Sequence, residues 1–385
     1  MAPRLLPVEA ICCSGLSGMS PGARFAAVGL TVVSAAGFLI MPVMVGAAVA
    51  DLGLDDAEVG WLSSGIMGGS AVAAVLASLS VRRGSWRQLC FTALSVQVVG
   101  QLVSTQLEFG PLLWAFMLVA SMGAGATYSF ALAVIGEGDG SGRLFGFSVA
   151  AQVAFQMLGM LLLPWFAVDG GFAWVLVLLA SLGVLGFGLT LMLPERRWPV
   201  QKERIRAPIR WQAWLALGGC FFFFANIGAF WAYVDRIGAA AGMSPEVLGN
   251  VLAVSVAAGL AGALMASWQG RRLGHLFPLA LAAIITVTSL LVVHDSATVP
   301  WFLVGFAAYN FAWNYSLAYQ YDVVAHADVD GRLVALSPAF HGIGAAVSPV
   351  VVALLVTSGG LVVVNVLAGV AVLLSLAAFV PLTKE

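Results

Sequence analysis

The chain has 385 residues, of which 61% are hydrophobic and 9% charged, with a mean hydropathy of +1.00 and a formal net charge of −1. Soluble domains carry about 25% charged residues, so this composition excludes a soluble globular protein. The near-zero net charge gives no bulk attraction to nucleic acid, and the class that remains is an integral membrane protein with the lipid bilayer as its solvent.

Roughly 20 apolar residues cross a bilayer, and short polar breaks divide the chain into twelve such spans: 25–50, 57–81, 87–106, 111–136, 143–168, 171–193, 211–236, 246–269, 275–293, 299–324, 332–357 and 360–381. The tail over 1–24 holds Arg4 and a short apolar run broken by Pro7 and Glu9, with no small-residue cleavage site, and so does not read as a cleaved signal peptide. Six spans fill 25–193 and six fill 211–381, followed by a tail at 382–385. Between the blocks, 194–210 carries Arg196, Arg197, Lys202, Arg204, Arg206 and Arg210, six of the 17 basic residues, and reads as a basic linker. With the N-terminus inside, every Lys and Arg except Arg236 falls in an inner segment, while Asp51, Asp55, Asp56, Glu58, Glu108, Asp169 and Asp295 gather outside. The positive-inside rule then puts both termini in the cytoplasm and the chain in the cell (inner) membrane. Cys12, Cys13, Cys90 and Cys220 show no disulfide framework and read as free thiols.

The two blocks repeat one another at an offset of 189 to 190 residues. Gly53-Leu-Asp-Asp-Ala-Glu-Val-Gly60 matches Gly242-Met-Ser-Pro-Glu-Val-Leu-Gly249, with Asp55 and Ser244 as equivalent helix N-caps. Arg82-Arg-Gly84 matches Arg272-Leu-Gly274, and Gly142-Arg143-Leu-Phe-Gly-Phe-Ser148 matches Gly331-Arg332-Leu-Val-Ala-Leu-Ser337. Three matches at nearly one offset, each at the same place in a six-span unit, are the mark of a duplication.

Twelve spans in two parallel sets of six, a basic linker and a short Arg-x-Gly turn after spans 2 and 8 resemble the major facilitator superfamily. The resemblance implies an all-α membrane fold of two pseudo-symmetric six-helix bundles, and a monomeric secondary active transporter of small molecules that needs no cofactor or metal. The family's loop pattern, roughly Gly-x-Leu-Ala-Asp-Arg-x-Gly-Arg, is met by Leu79, Arg82 and Gly84, but its acidic position is Val81 here and Arg271 in the second half. Arg82, Gly84, Arg143, Arg272, Gly274 and Arg332 are expected in the cytoplasmic gate loops. Drug/proton antiporters of this family carry Gly-x-x-x-Gly-Pro-x-x-Gly-Gly in span 5, and the stretch Gly146–Gly159 lacks it.

The same resemblance places spans 1, 4, 7 and 10 around a central cavity, with 2, 5, 8 and 11 beside them. On span 10, Tyr309, Trp313, Ser316 and Gln320 share a face at helical spacing, with Asn310 and Asn314 adjacent. Span 7 offers Asn226, Phe230 and Tyr233; span 4 offers Ser121, Gly125 and Tyr128; span 5 offers Gln152 and Gln156. Span 1 offers Ser34, Phe38 and Met41, with Pro42 expected to kink the helix. Amides in lipid cost free energy unless paired, so these faces look either into a solute cavity or onto a neighbouring helix. With no Lys or Arg at membrane depth, the expected solute is a small amphipathic or aromatic molecule and not a strongly anionic one.

Depth sorts the ionisable groups. Asp235 and Arg236 fall near the outer surface, as an exposed or gate-closing ion pair, and Asp322 falls near the inner interface, where gating or coupling is open to it. His341 lies about nine residues, or 13 Å, inward of Arg332 and is paired by the repeat with Gln152. It is either the group that couples protons or polarises the solute, or a neutral imidazole bonded to a neighbouring helix. No G-x-x-x-x-G-K-[ST] phosphate loop is present, so the reading is a secondary carrier working by alternating access, and the lack of carboxylates at depth favours protons over sodium as the coupling ion. Its rivals are a multidrug or metabolite efflux antiporter, a membrane-embedded enzyme using His341 with Asp322, and a transport-dead sensor.

Overall fold

A computed structural model describes residues 20–80, 85–137, 141–195, 211–295, 297–327 and 337–383. Most of the basic linker, Arg82, Gly84 and Arg332 lie outside the described residues, as do Cys12 and Cys13; Arg143 is described by its backbone alone. The helices are α1 (Pro21–Leu39), α2 (Met41–Leu52), α3 (Asp56–Ser80), α4 (Trp86–Ser104), α5 (Pro111–Glu137), α6 (Ser141–Leu191), α7 (Trp211–Ala240), α8 (Pro245–Gln269), α9 (Leu276–Val292), α10 (Val299–Ala327), α11 (Ser337–Gly359) and α12 (Val362–Phe379).

These elements are the twelve spans with two local changes. The first span is broken at Ile40 into α1 and α2 because Pro42 has no N–H for the Phe38 carbonyl one turn earlier. That carbonyl instead accepts a hydrogen bond from Trp231 Nε1 of α7 at 3.0 Å. The break therefore becomes a tie between the two halves. Spans 5 and 6 run together in α6 and turn at Gly171, whose φ of 63° and ψ of −166° suit only glycine. The Asp51 carboxylate accepts the Phe172 N–H at 3.1 Å, capping the second arm. The caps read from the repeat are formed: Asp55 and Glu58 close a capping box, and Ser244 Oγ accepts the Val247 N–H.

Among the described residues, eight segments are long and apolar enough to cross a membrane by themselves. The helices α3, α4 and α10, of 25, 19 and 29 residues, have the length but carry buried serines, glutamines and asparagines inward. Outward, Trp165, Phe166, Trp268 and Leu291 stand exposed, which is favourable only against lipid. Cys90 and Cys220 are buried free thiols.

The duplication is repeated in three dimensions. In the first half α3 packs on α5, α4 on α5 and α6, and α1 on α6; in the second, α8 packs on α10, α9 on α10 and α12, and α7 on α12. Across the halves α3 meets α11 and α8 meets α6. A side chain on Gly60 would run into the Pro349 carbonyl and Ala353, and one on Gly249 into the Met160 carbonyl and Pro164. Each residue in the first contact is related to its counterpart in the second by the same 189-residue shift, so the two interfaces are equivalent surfaces and not separate inventions.

The cores show where the halves join. One cluster of buried side chains runs through both at the end that bears Asp56 and Arg236, with Met44, Leu62, Trp231, Leu248 and Phe306 among its members. At the opposite end each half has a cluster of its own, around Trp86, Cys90 and Phe130 in the first and around Cys220, Tyr315 and Phe379 in the second. Among the described residues, then, the buried cores of the two bundles merge at one end and stay separate at the other, here called the closed and the parted end.

Candidate functional site

A cavity of about 410 Å³ lies between the bundles, inside the range of small-molecule pockets. Its wall comes from α1, α2, α3, α4, α5 and α6 on one side and α7, α8, α10 and α11 on the other. Phe38, Tyr128, Gln152, Gln156, Asn310, Trp313, Asn314 and His341 stand on it, together with Ser34, Ser121 and Gly125. No Asp, Glu, Lys or Arg is among the described wall residues, which leaves His341 as the lone imidazole there.

His341 is 5% exposed and held on two sides. Its ring stacks on Phe224 at 3.9 Å with an interplanar angle of 15°, and Nδ1 lies 3.3 Å from the Tyr321 hydroxyl. Nε2 is buried without a hydrogen-bond partner. An unpaired buried polar atom costs on the order of 1–3 kcal/mol. In the other half Gln152, the repeat partner of His341, interacts with Tyr128 and donates from Nε2 to Ser148 Oγ at 3.0 Å. Each half thus sets a tyrosine of its fourth span beside a polar residue of its fifth. Trp313 forms the aromatic bridge, edge-on to Phe38 of the first half at 6.4 Å and to Phe224 of the second at 6.5 Å.

Other residues singled out in the sequence take places away from this wall. Asn226 accepts the Tyr309 hydroxyl at 3.2 Å, and Phe230 packs on the Tyr309 ring at 4.6 Å, all within the core. Ser316 Oγ donates to the Trp313 carbonyl and Gln320 Nε2 to Ser316 Oγ, so these two also turn into the bundle. The cavity face of α10 is Asn310, Trp313, Asn314, Leu317 and Tyr321, rotated by about one residue, or 100°, from the Tyr309, Ser316, Gln320 face. Met41 is likewise in the core, and Met44 takes the wall position. The wall also includes Gln97 and Gln101 of α4, in a span given no role from sequence; two amides one turn apart in an apolar run were the available signal. Phe224 carried none, since it ends a run of four phenylalanines.

The closed end is sealed by polar contacts between halves. Arg236 Nε reaches Asp56 Oδ1 at 2.7 Å, and the Tyr233 hydroxyl donates to the Asp56 carbonyl at 2.8 Å. Arg236 therefore pairs across the interface, while its neighbour Asp235 abuts Gly46 of α2, where a side chain would overlap the carboxylate. At the parted end the described ion pairs stay within one half. Arg87 joins Glu195 and the Leu191 and Leu193 carbonyls. Arg271, which occupies the loop position expected to be acidic, donates to both oxygens of Asp322 at 2.7 and 2.6 Å, and this bonding raises the guanidinium above its ordinary value. The arginine thus reaches a carboxylate supplied by α10. Arg272 lies over the Trp268 ring at 5.5 Å, and Gly274 takes a φ of 65° in the same turn.

Asp322 also meets His275 Nε2 at 2.7 Å, and His326 brings a third ligand atom, all within 4.8 Å of one another. Both Asp322 oxygens are already bonded to Arg271 and His275, an arrangement for an ion-pair latch before a cation site. His341 and Asp322 have separate partners, so the acid/base pair that an embedded enzyme would require is not assembled.

The decisive likeness is in sequence. The family model for the Major Facilitator Superfamily matches residues 26–329. The chain belongs to the major facilitator superfamily. Similar solved structures include the nucleoside transporter NupG (12% identity, 94% of this chain and 100% of that one, TM-score 0.75) and a D-xylose-proton symporter (15%, 94% and 97%, 0.72). A bacterial homolog of the human lysosomal transporter Spinster, inward-facing and unoccupied, matches at 13% identity over 96% and 100% of the chains, with a TM-score of 0.69. These identities carry the fold alone. No curated protein matches in sequence. As a superfamily member with a two-bundle fold, the chain is a multi-span membrane protein and a secondary transporter.

Proposed function

We propose that this transporter carries a small neutral organic solute with a flat ring and hydrogen-bonding groups, by alternating access, and that His341 couples the cycle to protons. The observation that carries the reading is the wall itself, which combines an aromatic bridge with amides and one imidazole and, among its described residues, has no fixed charge. An anion would find no cation there and a cation no carboxylate, and desolvating either without a partner is costly. A neutral solute meets no such penalty, and a nucleoside, a planar base on a hydroxylated ring, is a fitting test compound. The closed end, held by Asp56, Tyr233 and Arg236, acts as the outer gate, and the parted end with its Asp322 latch faces the cytoplasm. Both termini are cytoplasmic, the membrane is the cell (inner) membrane, and the unit is a monomer.

Two measurements check this. Uridine at saturating concentration is expected to raise the unfolding temperature of the purified protein by mass action, and uridine monophosphate to leave it unchanged; equal stabilisation by the two would remove the neutral-solute reading. For the orientation, a cysteine at Glu108 is expected to react with an impermeant reagent added to intact cells and one at Lys202 only after lysis. The opposite pattern would invert the gates.

A further inference from the structure

Gln97 and Gln101 lie one turn apart on α4 and both stand on the cavity wall, 1% and 6% exposed. The Oε1 atom of each is buried without a hydrogen-bond partner. Gln97 Nε2 points at the Val33 carbonyl of α1 at 3.5 Å, which orients the amide and leaves its oxygen as the free end. The backbone at this level is fixed, because Gly123 of α5 sits so close to Gln97 N and the Ala93 carbonyl that no side chain fits between. Two buried acceptors one turn apart, neither with a donor, are a binding element lacking its other half, since a buried carbonyl oxygen is stabilised only when an O–H or N–H reaches it.

We infer that Gln97 and Gln101 form a hydroxyl-binding subsite: they accept hydrogen bonds from a hydroxylated arm of the solute while its flat ring packs among Phe38, Trp313 and Phe224. The inference rests on the reading of the cavity as the solute site and assigns a specificity role to the third span. An anionic arm would bring acceptors to acceptors, and a cationic one would find no carboxylate among the described wall residues; a neutral polyol arm supplies donors without charge.

The test is calorimetric titration of the purified full-length protein with uridine, 2′,3′-dideoxyuridine and uracil. Wild type is expected to bind uridine about a hundredfold more tightly than dideoxyuridine, which lacks both donors, each hydrogen bond being worth about tenfold. Gln97→Leu and Gln101→Leu are each expected to weaken uridine about tenfold and to leave uracil within about twofold, the uracil titration also serving as proof of a folded site. Unchanged uridine affinity in both variants, or an equal loss for uridine and uracil, overturns the subsite and leaves the cavity reading in place. Failure of wild type to bind either uridine or uracil removes the cavity reading and the subsite with it.

Discussion

His341→Gln is expected to abolish accumulation driven by a pH gradient while leaving exchange of solute across the membrane intact. The imidazole is the one group on the described wall whose ordinary pKa, about 6.5, lies near physiological pH. Its Nε2 is buried without a hydrogen-bond partner, and its ring is fixed by the Phe224 stack and by Tyr321. Glutamine is already present at the repeat-related position 152, so the replacement copies a residue that this fold accepts there. It keeps hydrogen bonding and removes the proton. With one proton moved per solute, a gradient of one pH unit supports about tenfold accumulation. The variant in proteoliposomes is expected to equilibrate at a ratio of about one under the same gradient. Undiminished accumulation by the variant would assign coupling to another group.

Gly60→Leu and Gly249→Leu are expected to force the closed end open. Each glycine lies where a Cβ would penetrate a carbonyl of the opposite half, Pro349 or Met160, and backbone does not yield as a flexible side chain does. Overpacking of this kind costs about 1–3 kcal/mol, which shifts a two-state equilibrium by about 5- to 150-fold. The loss is local to the conformation in which these surfaces touch, so the other state is favoured and the fold is kept. Spin labels at Glu108 and Ala240, one in each half at that end, are expected to move apart in both variants. The near-identity of the two effects would reflect the 189-residue equivalence of the interfaces, and an unchanged distance would show that the two surfaces need not separate.

Much of the fold was legible because its signals are local. Apolar run lengths and the polar breaks between them delimited the spans, and the repeat related the halves; Pro42 announced the break that frees the Phe38 carbonyl for Trp231. The site was legible only in part. On α10 two adjacent faces are both polar, and sequence cannot distinguish Tyr309, satisfied by Asn226 in the core, from Asn310, which stands on the wall. That choice depends on how the helix is rotated against α8, which close packing at Gly259 and Gly262 decides. Gln97 and Gln101 were overlooked because the family resemblance assigns the third span to the periphery. Asp235 and Arg236 read from sequence as one exposed or gate-closing pair, but the partner of Arg236 is Asp56, 180 residues away in sequence, and no spacing rule connects them.

The most direct measurement of the central claim is counterflow: proteoliposomes loaded with unlabelled uridine, diluted into a trace of labelled uridine. A transient overshoot of label is expected, absent from protein-free vesicles and suppressed by external uridine but not by uridine monophosphate. Label entry at the protein-free rate would contradict that claim.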